Sequence, residues 1–320
     1  MASGLKRVGM KTLYMALLKK LYPRISPVLS PKMEFYLRCV FGAYRAPILS
    51  IKIKFYTKYV LNGLRARTIL TFPDKPNPYT IVYSVCHLLG YRITQNTNEK
   101  VDLAMQWEYS TFPRSHEVLD ELSKKQRVLN INCKDTSKTR VDEVHKAVFG
   151  YSLAIDPLTY KGLCVKKSNK QTTRNGVIVP CPVDEVDEKS VYQIVVNNKI
   201  NDDYVEDIRV PIVGDNIPFC YLKRRPVQRR FGTETTSSNL CERDAVLSTT
   251  EVELLLRLCR RMGLDYGELD VLRDSDSKRL YVVDVNNTPV GPPKHLDSKS
   301  VHVALERLSK AFMASFMPSD

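Results

Sequence analysis

Residues 263–293 read GLDYGELDVLRDSDSKRLYVVDVNNTPVGPP, and this stretch constrains the fold more than any other. It holds two short apolar runs, 268–272 and 280–286, joined by a polar turn over 273–279. Runs of this length bounded by turn residues predict paired strands, here a β-hairpin with a longer loop. Side chains alternate between faces along a strand, so Asp284 shares a face with Asn286, and Glu268 with Asp270. Acidic and amide oxygens therefore fall inside text that otherwise reads as core. Taking a carboxylate out of water costs several kcal/mol unless something pairs with it. A hard cation such as Mg²⁺ is a fitting partner, because it takes carboxylate and amide oxygens and keeps waters or phosphates as its other ligands. The competing explanation is an ordinary solvated Asp beside a turn.

The chain has 320 residues, enough for two or three domains, and its 43% hydrophobic content suits a globular protein with a sizeable core. No run approaches the ~18 apolar residues needed to cross a bilayer. Residues 10–18 are apolar but are interrupted by Lys11 and followed by Lys19 and Lys20, not by a small-residue cleavage site. No secretory leader is expected there, and a cytoplasmic location is. The eight cysteines stand singly, with no CxxC or Cys/His ligand spacing, so zinc is not expected and the thiols read as buried and reduced.

The net charge is +14, and its placement matters more than its size. Residues 1–75 carry fifteen Lys and Arg against Glu34 and Asp74, while the remainder is almost neutral. A basic, mostly helical extension over 1–75 is expected. It is either a solvated face or a peripheral contact with anionic membrane. No zinc-finger, RRM or basic-zipper pattern accompanies it, so nucleic acid is not expected as a partner.

From residue 76 the text becomes α/β. Helices are expected over 79–89, 116–125, 138–149, 251–262 and 301–316, several closed by glycine. Strands are expected over 92–95, 101–108, 127–132, 160–165, 176–179, 190–196, 206–213 and 217–223. A long polar loop is expected over 229–244. Three blocks follow: the extension 1–75, a small Rossmann-like α/β domain 76–135, and a larger domain 136–320 with a lid subdomain at about 155–200.

Basic residues recur in a definite order through the larger domain. Lys138 opens a helix after Asp135-Thr136-Ser137, and Lys166 and Lys167 end a strand before a polar loop. Tyr192-Gln193-Ile194-Val195 is followed by Glu206-Asp207-Ile208-Arg209, then by a cluster that includes Arg225 and Arg230, and last by the Asp270, Asp284 and Asn286 set. That order resembles the ATP-grasp superfamily over about residues 130–295, closest in pattern to its ribosomal-protein and amino-acid ligase branch. The resemblance implies an ATP-grasp architecture. It implies that Lys138 and one of Lys166 or Lys167, with Lys167 favoured by strand alternation, hold nucleotide phosphates. Gln193, Ile194 and Val195 would line the adenine pocket, with Asp207 also on the nucleotide side. Asp270, Asp284 and Asn286 would bind Mg²⁺ or Mn²⁺. Arg209, with Arg225 and Arg230, would neutralise the phosphoryl group in transfer. Asp284 stands where the family usually has Glu.

Phosphoryl transfer needs positioning and charge neutralisation more than a protein nucleophile, and this residue set supplies both. The implied activity is ATP-dependent ligation: a substrate carboxylate becomes an acyl phosphate and is captured by an amine. Two alternatives use the same nucleotide site. One is a small-molecule or glycan kinase, the other a non-catalytic nucleotide-binding protein.

Overall fold

The computed structural model describes residues 67–170, 176–232 and 235–317. The extension below residue 67, with the helices and membrane contact expected of it, lies outside the described residues. Among the described residues no helix is long and apolar enough to cross a membrane.

The first layer is a parallel sheet. β1 (Thr68–Pro73), β2 (Arg92–Thr94), β3 (Leu103–Trp107) and β4 (Val128–Leu129) pair in the order β2-β1-β3-β4. The boundary expected at residue 75 therefore falls one strand too late. Ile69 and Leu70 are buried and β1 takes partners on both sides, so it belongs with the α/β layer. Between these strands run α1 (Ile81–Leu89) and α2 (Glu117–Ser123). Strand order reverses between β1 and β3, and such a switch point opens a crevice at the carboxyl ends of the strands. Here those ends are Pro73 and Trp107.

Next comes α3 (Lys138–Phe149). Ser137 caps its first turn by accepting from the Arg140 N–H at 3.2 Å, and Gly150 closes it with φ +83°, as the sequence predicts. A small antiparallel sheet follows, built from β5 (Gly162–Ser168), β6 (Val177–Cys181) and β7 (Ser190–Ile194) in the order β6-β5-β7. It falls within the 155–200 stretch expected as a lid and is called the lid below.

The main sheet comprises β8 (Tyr204–Val213), β9 (Cys220–Pro226), β10 (Ser237–Cys241), β11 (Tyr266–Arg273) and β12 (Leu280–Asn286), in the order β10-β9-β8-β11-β12. The segment 229–244 is thus not one polar loop. Its Ser237–Cys241 part pairs with β9 as an edge strand, and α4 (Arg243–Val246) follows. Polar side chains on an edge strand keep contact with solvent, which is why composition alone reads as loop. Then come α5 (Thr249–Met262) and the closing α6 (Ser298–Phe316).

The main sheet has two unlike faces. Ile208, Val210 and Ile212 of β8, Leu269 and Val271 of β11, and Val282 and Val285 of β12 pack with Val141, Val144 and Val148 of α3 and with Leu255, Leu258, Cys259 and Met262 of α5 in one core. On α5 these four lie at helical spacing, and a Ser248/Glu251 capping box fixes where the helix starts. Each fully buried Leu contributes about 2 kcal/mol of apolar transfer. The alternate side chains of the same strands carry the charges described below. Gly263 ends α5 at φ +69°, and a Cβ there would stand 2.5 Å from the Asn132 carbonyl oxygen, just beyond β4. Gly263→Ala is expected to lower stability by about 2 kcal/mol or more, through left-handed strain and that clash. Urea unfolding checks it, and a neutral result contradicts the tight seam between α5 and the parallel layer.

Candidate active site

The antiparallel register of the main sheet collects the polar face. Asp270 of β11 lies opposite Asp284 of β12 and Arg209 of β8, and Glu268 lies opposite Asn286. Asp207 lies opposite Lys223 of β9, and Val205 opposite Arg225. Cross-strand neighbours share a face, so Arg225, Lys223, Asp207, Arg209, Glu268, Asp270, Asp284 and Asn286 form one charged surface. Between Asp270 and Val271 the register with β12 shifts by one residue, leaving Val283 as a bulge. Beyond that bulge the parity of β12 reverses, and Tyr281 and Val283 join Leu153, Ile194, Val196 and Leu272 in a separate apolar cluster.

Asp270 is the centre of the surface. Its Oδ1 accepts from Arg209 Nε at 3.1 Å and from Lys223 Nζ at 3.2 Å. Burial raises this carboxyl, but the charges of Arg209 and Lys223 outweigh burial and hold it far below the usual carboxylate range. Glu268 and Asp284 go the other way. Burial pushes Glu268 up to about 7, with Arg209 opposing and the Asp270 charge adding. Burial pushes Asp284 up to about 6, with Lys138 opposing, Asp270 adding and Lys167 opposing. Both oxygens of Glu268 and Oδ1 of Asp284 are buried without a hydrogen-bond partner.

Two lysines reach this surface from outside the sheet. Lys138, at the start of α3, sits 3.9 Å from Asp284 Oδ1. Its Nζ also donates to the Lys170 carbonyl at 2.6 Å, while Asn169 Oδ1 accepts from the Thr139 N–H at 2.9 Å. The start of the lid loop thus rests on the α3 N-terminus, where Asn169 and Ser137 accept from the first N–H groups and the helix dipole favours an anion. Lys167 is half-buried on β5. Burial and the Lys138 charge push its ammonium down to about 8, against the pull of Asp284 and Asp142. Strand alternation separates it from its neighbour. Lys167 shares a face with Val165 and Gln193, while Lys166 sits on the far face, pairs with Asp187 at 3.1 Å and lies over the Tyr192 ring. Of the two, Lys167 is the lysine on the Gln193 face, and Lys166 is committed to Asp187.

Other sequence-predicted residues are brought close but hold each other. Asp207 and Arg225 form an ion pair at 2.6 Å. Arg225 also donates to the Arg230 and Gly232 carbonyls, at 3.2 and 3.0 Å. Arg230 donates to the Val196 carbonyl at 2.7 Å and to Asn198 Oδ1 at 2.8 Å, and Asn198 Nδ2 returns to Asp207 at 3.0 Å. Asp207, Arg225 and Arg230 therefore secure the connection between lid and main sheet, rather than standing open to a phosphate. Gln193 is buried on the lid face that carries Lys167, Ile194 packs into the apolar cluster, and Val195 follows β7 outside regular structure. Sequence reasoning left Glu268 and Lys223 out of the site, although the alternation that singles out Asp270 places Glu268 beside it. Lys223 stood out in the sequence only as a member of a basic cluster with Arg224, Arg225, Arg229 and Arg230, because its partner Asp270 is 47 residues away.

Among the described residues no group of three or more His, Cys, Asp and Glu side chains is arranged to hold a metal unaided. The donor chemistry nonetheless fits a Mg²⁺ or Mn²⁺ ion carried by a nucleotide. Such ions use one or two carboxylates plus phosphates and waters rather than an all-protein cage. Asp284 supplies a buried oxygen without a hydrogen bond.

By sequence the chain matches no protein-family profile and no curated protein. In structure it is similar to the ATP-grasp ligase PsnB complexed with a minimal precursor, at 11% identity, TM-score 0.48, 76% of this chain and 99% of that one. It is similar to D-alanine–D-alanine ligase from Bacillus anthracis complexed with ATP, at 15% identity, TM-score 0.49, 79% of this chain and 98% of that one. A RimK-domain ATP-grasp protein from Sphaerobacter thermophilus aligns at 12% identity, TM-score 0.45, 79% of this chain and 100% of that one.

The raised Asp284 carboxyl has a consequence for stability. The folded chain holds that proton more tightly than the unfolded one, so ionisation costs stability as pH climbs from about 4 to about 6. Asp284→Asn removes the loss. Without divalent cations the variant is expected to match wild type near pH 4 and to exceed it by about 1–2 kcal/mol at pH 8. That figure is reduced because the side chain keeps 26% of its surface open. Urea titrations at the two pH values decide it, and a variant no more stable than wild type at pH 8 contradicts the assignment.

Proposed function

We propose that this chain is an ATP- and Mg²⁺-dependent carboxylate–amine ligase of the ATP-grasp type. One observation supports the proposal above the others. Two lysines from separate elements, Lys138 and Lys167, converge on the Asp284 edge of a sheet face that also carries Asp270, Asn286 and Arg209. Cations on one side and oxygen donors on the other are what a polyphosphate with its metal needs. A stable fold has no use for so many buried charges otherwise, because apolar replacements of similar size are often neutral or better.

In this proposal Lys138 and Lys167 bind the phosphates. To do so Lys138 exchanges the Lys170 carbonyl for a phosphate oxygen, so the lid loop shifts when nucleotide binds. The apolar cluster of Leu153, Ile194, Val196, Leu272, Tyr281 and Val283 offers a wall for a purine next to the lid connection. Asp270, Asp284 and Asn286 hold the ion, which when bound offsets phosphate charge and orients the γ-phosphoryl group. Arg209 stabilises charge that grows on that group.

The reaction then balances as follows. A substrate carboxylate oxygen bonds to the γ-phosphorus while the bond to the ADP oxygen breaks, giving an acyl phosphate and ADP. The amine nitrogen bonds to the acyl carbon, the bond from carbon to phosphate oxygen breaks, and phosphate and a proton leave. The co-substrates enter by the switch-point crevice. There the segment after Asn286 joins the parallel layer, with the Ile81 N–H on the Pro289 carbonyl at 3.2 Å and the Gly291 N–H on the Tyr79 carbonyl at 2.7 Å.

ADP release should need both a carboxylate and an amine, measured by coupled assay against a panel of amino acids, peptides and sugar acids. Asp284→Ala and Lys167→Ala are each expected to lower turnover by about a hundredfold or more with the fold intact by circular dichroism. Unchanged turnover in Asp284→Ala removes that residue from the site. A phosphoester product from one acceptor alone makes the enzyme a kinase instead.

A further inference from the structure

The charged face carries one carboxylate more than the proposed function uses. Glu268 is 3% exposed, and neither of its oxygens has a hydrogen-bond partner. Its close charge is Arg209, whose Nη1 lies 3.4 Å from Oε2. The same guanidinium directs Nε to Asp270 Oδ1 at 3.1 Å and Nη2 to Asp270 Oδ2 at 3.5 Å. Arg209 is therefore shared between two carboxylates of one strand, spaced two residues apart on one face. Tyr221 and Tyr266 stand near Glu268, and their buried hydroxyls make no hydrogen bond that would tether it.

Asp270 cannot serve a divalent cation and two basic side chains equally well. Its Oδ1 already takes Arg209 and Lys223, so an arriving cation meets the positive charge of both. The approach is favourable only if one of them moves aside while staying neutralised. Glu268 is the carboxylate in place to receive Arg209, and its unpartnered oxygens leave it free to do so.

We propose that Glu268 is a positioning residue that draws the Arg209 guanidinium off Asp270 and so releases Asp270 to a divalent cation. This rests on the nucleotide- and cation-binding function proposed above. On binding, Arg209 shifts from a shared pair to a pair with Glu268 alone, which leaves the rest of its fork open to a phosphoryl oxygen. Glu268 acts through Arg209 and does not itself ligate the ion.

A double-mutant cycle on Mn²⁺ affinity tests this, with saturating ADP and free Mn²⁺ followed by electron paramagnetic resonance. Wild type, Glu268→Gln, Arg209→Gln and the double variant are compared, each checked for folding by circular dichroism. Glu268→Gln is expected to weaken Mn²⁺ binding about ten- to a hundredfold. Arg209→Gln is expected to bind at least as tightly as wild type, and the double variant to match Arg209→Gln. Wild-type affinity in Glu268→Gln overturns the proposal. So does an equal loss when Glu268→Gln is added to Arg209→Gln, because that marks Glu268 as a direct ligand. If Glu268→Gln does not fold, Arg209→Gln decides, and weaker Mn²⁺ binding there overturns the proposal. Absence of Mn²⁺ binding by wild type is a different outcome, which refutes the proposed cation site and this inference together.

Discussion

The balance of charge around Asp270 governs the structure of the cleft. Four carboxylates and three basic side chains share one face of the main sheet, and none of them is stable there alone. Asp270 is ionised because Arg209 and Lys223 touch it. Glu268 and Asp284 are pushed toward the neutral form because burial outweighs their partners. A buried set with partners on one member and too few on the next is costly unless a ligand completes it. The opposite face shows what holds the sheet while the charged face remains strained. It is a continuous apolar core against α3 and α5, and the hydrophobic effect there carries the charged face as a passenger.

The same helix that seals the core also equips the cleft. Val141, Val144 and Val148 of α3 point into the core, while its first residue, Lys138, reaches Asp284 and the lid loop. Packing, the proposed phosphate site and the start of the lid loop are thus linked through twelve residues. The lid contributes its own lysine by alternation along β5, and the Arg230–Asn198–Asp207–Arg225 chain of hydrogen bonds braces its connection to the sheet. In the proposed function, the position of the lid and occupation of the charged face are linked through Lys138 on one side and this brace on the other.

Much of this was legible in the sequence because it is local. The hairpin 266–286, the cap and stop of α3 and the opposite faces of Lys166 and Lys167 all follow from periods of 2 and 3.6 and from glycine positions. What was not legible is what depends on register between distant segments. β8 meets β11 across about sixty residues, and only that meeting shows Arg209 locked to Asp270, or Arg225 committed to Asp207. The pairing of Lys223 with Asp270 was hidden for the same reason. The edge strand β10 was hidden because polar residues suit a solvent-facing edge as well as they suit a loop. Position 75 was a poor boundary because a Pro-rich segment ends a strand as readily as it links domains.

The central claim is that this charged face grips a nucleoside triphosphate through a divalent ion. A crystal grown with a non-hydrolysable ATP analogue and Mn²⁺, measured at the manganese absorption edge, addresses it most directly. The account predicts an anomalous peak ligated by Asp270, Asp284 and Asn286, with phosphate oxygens beside Lys138 and Lys167. Side chains left as they are here, with the analogue and the peak lying elsewhere, contradict it.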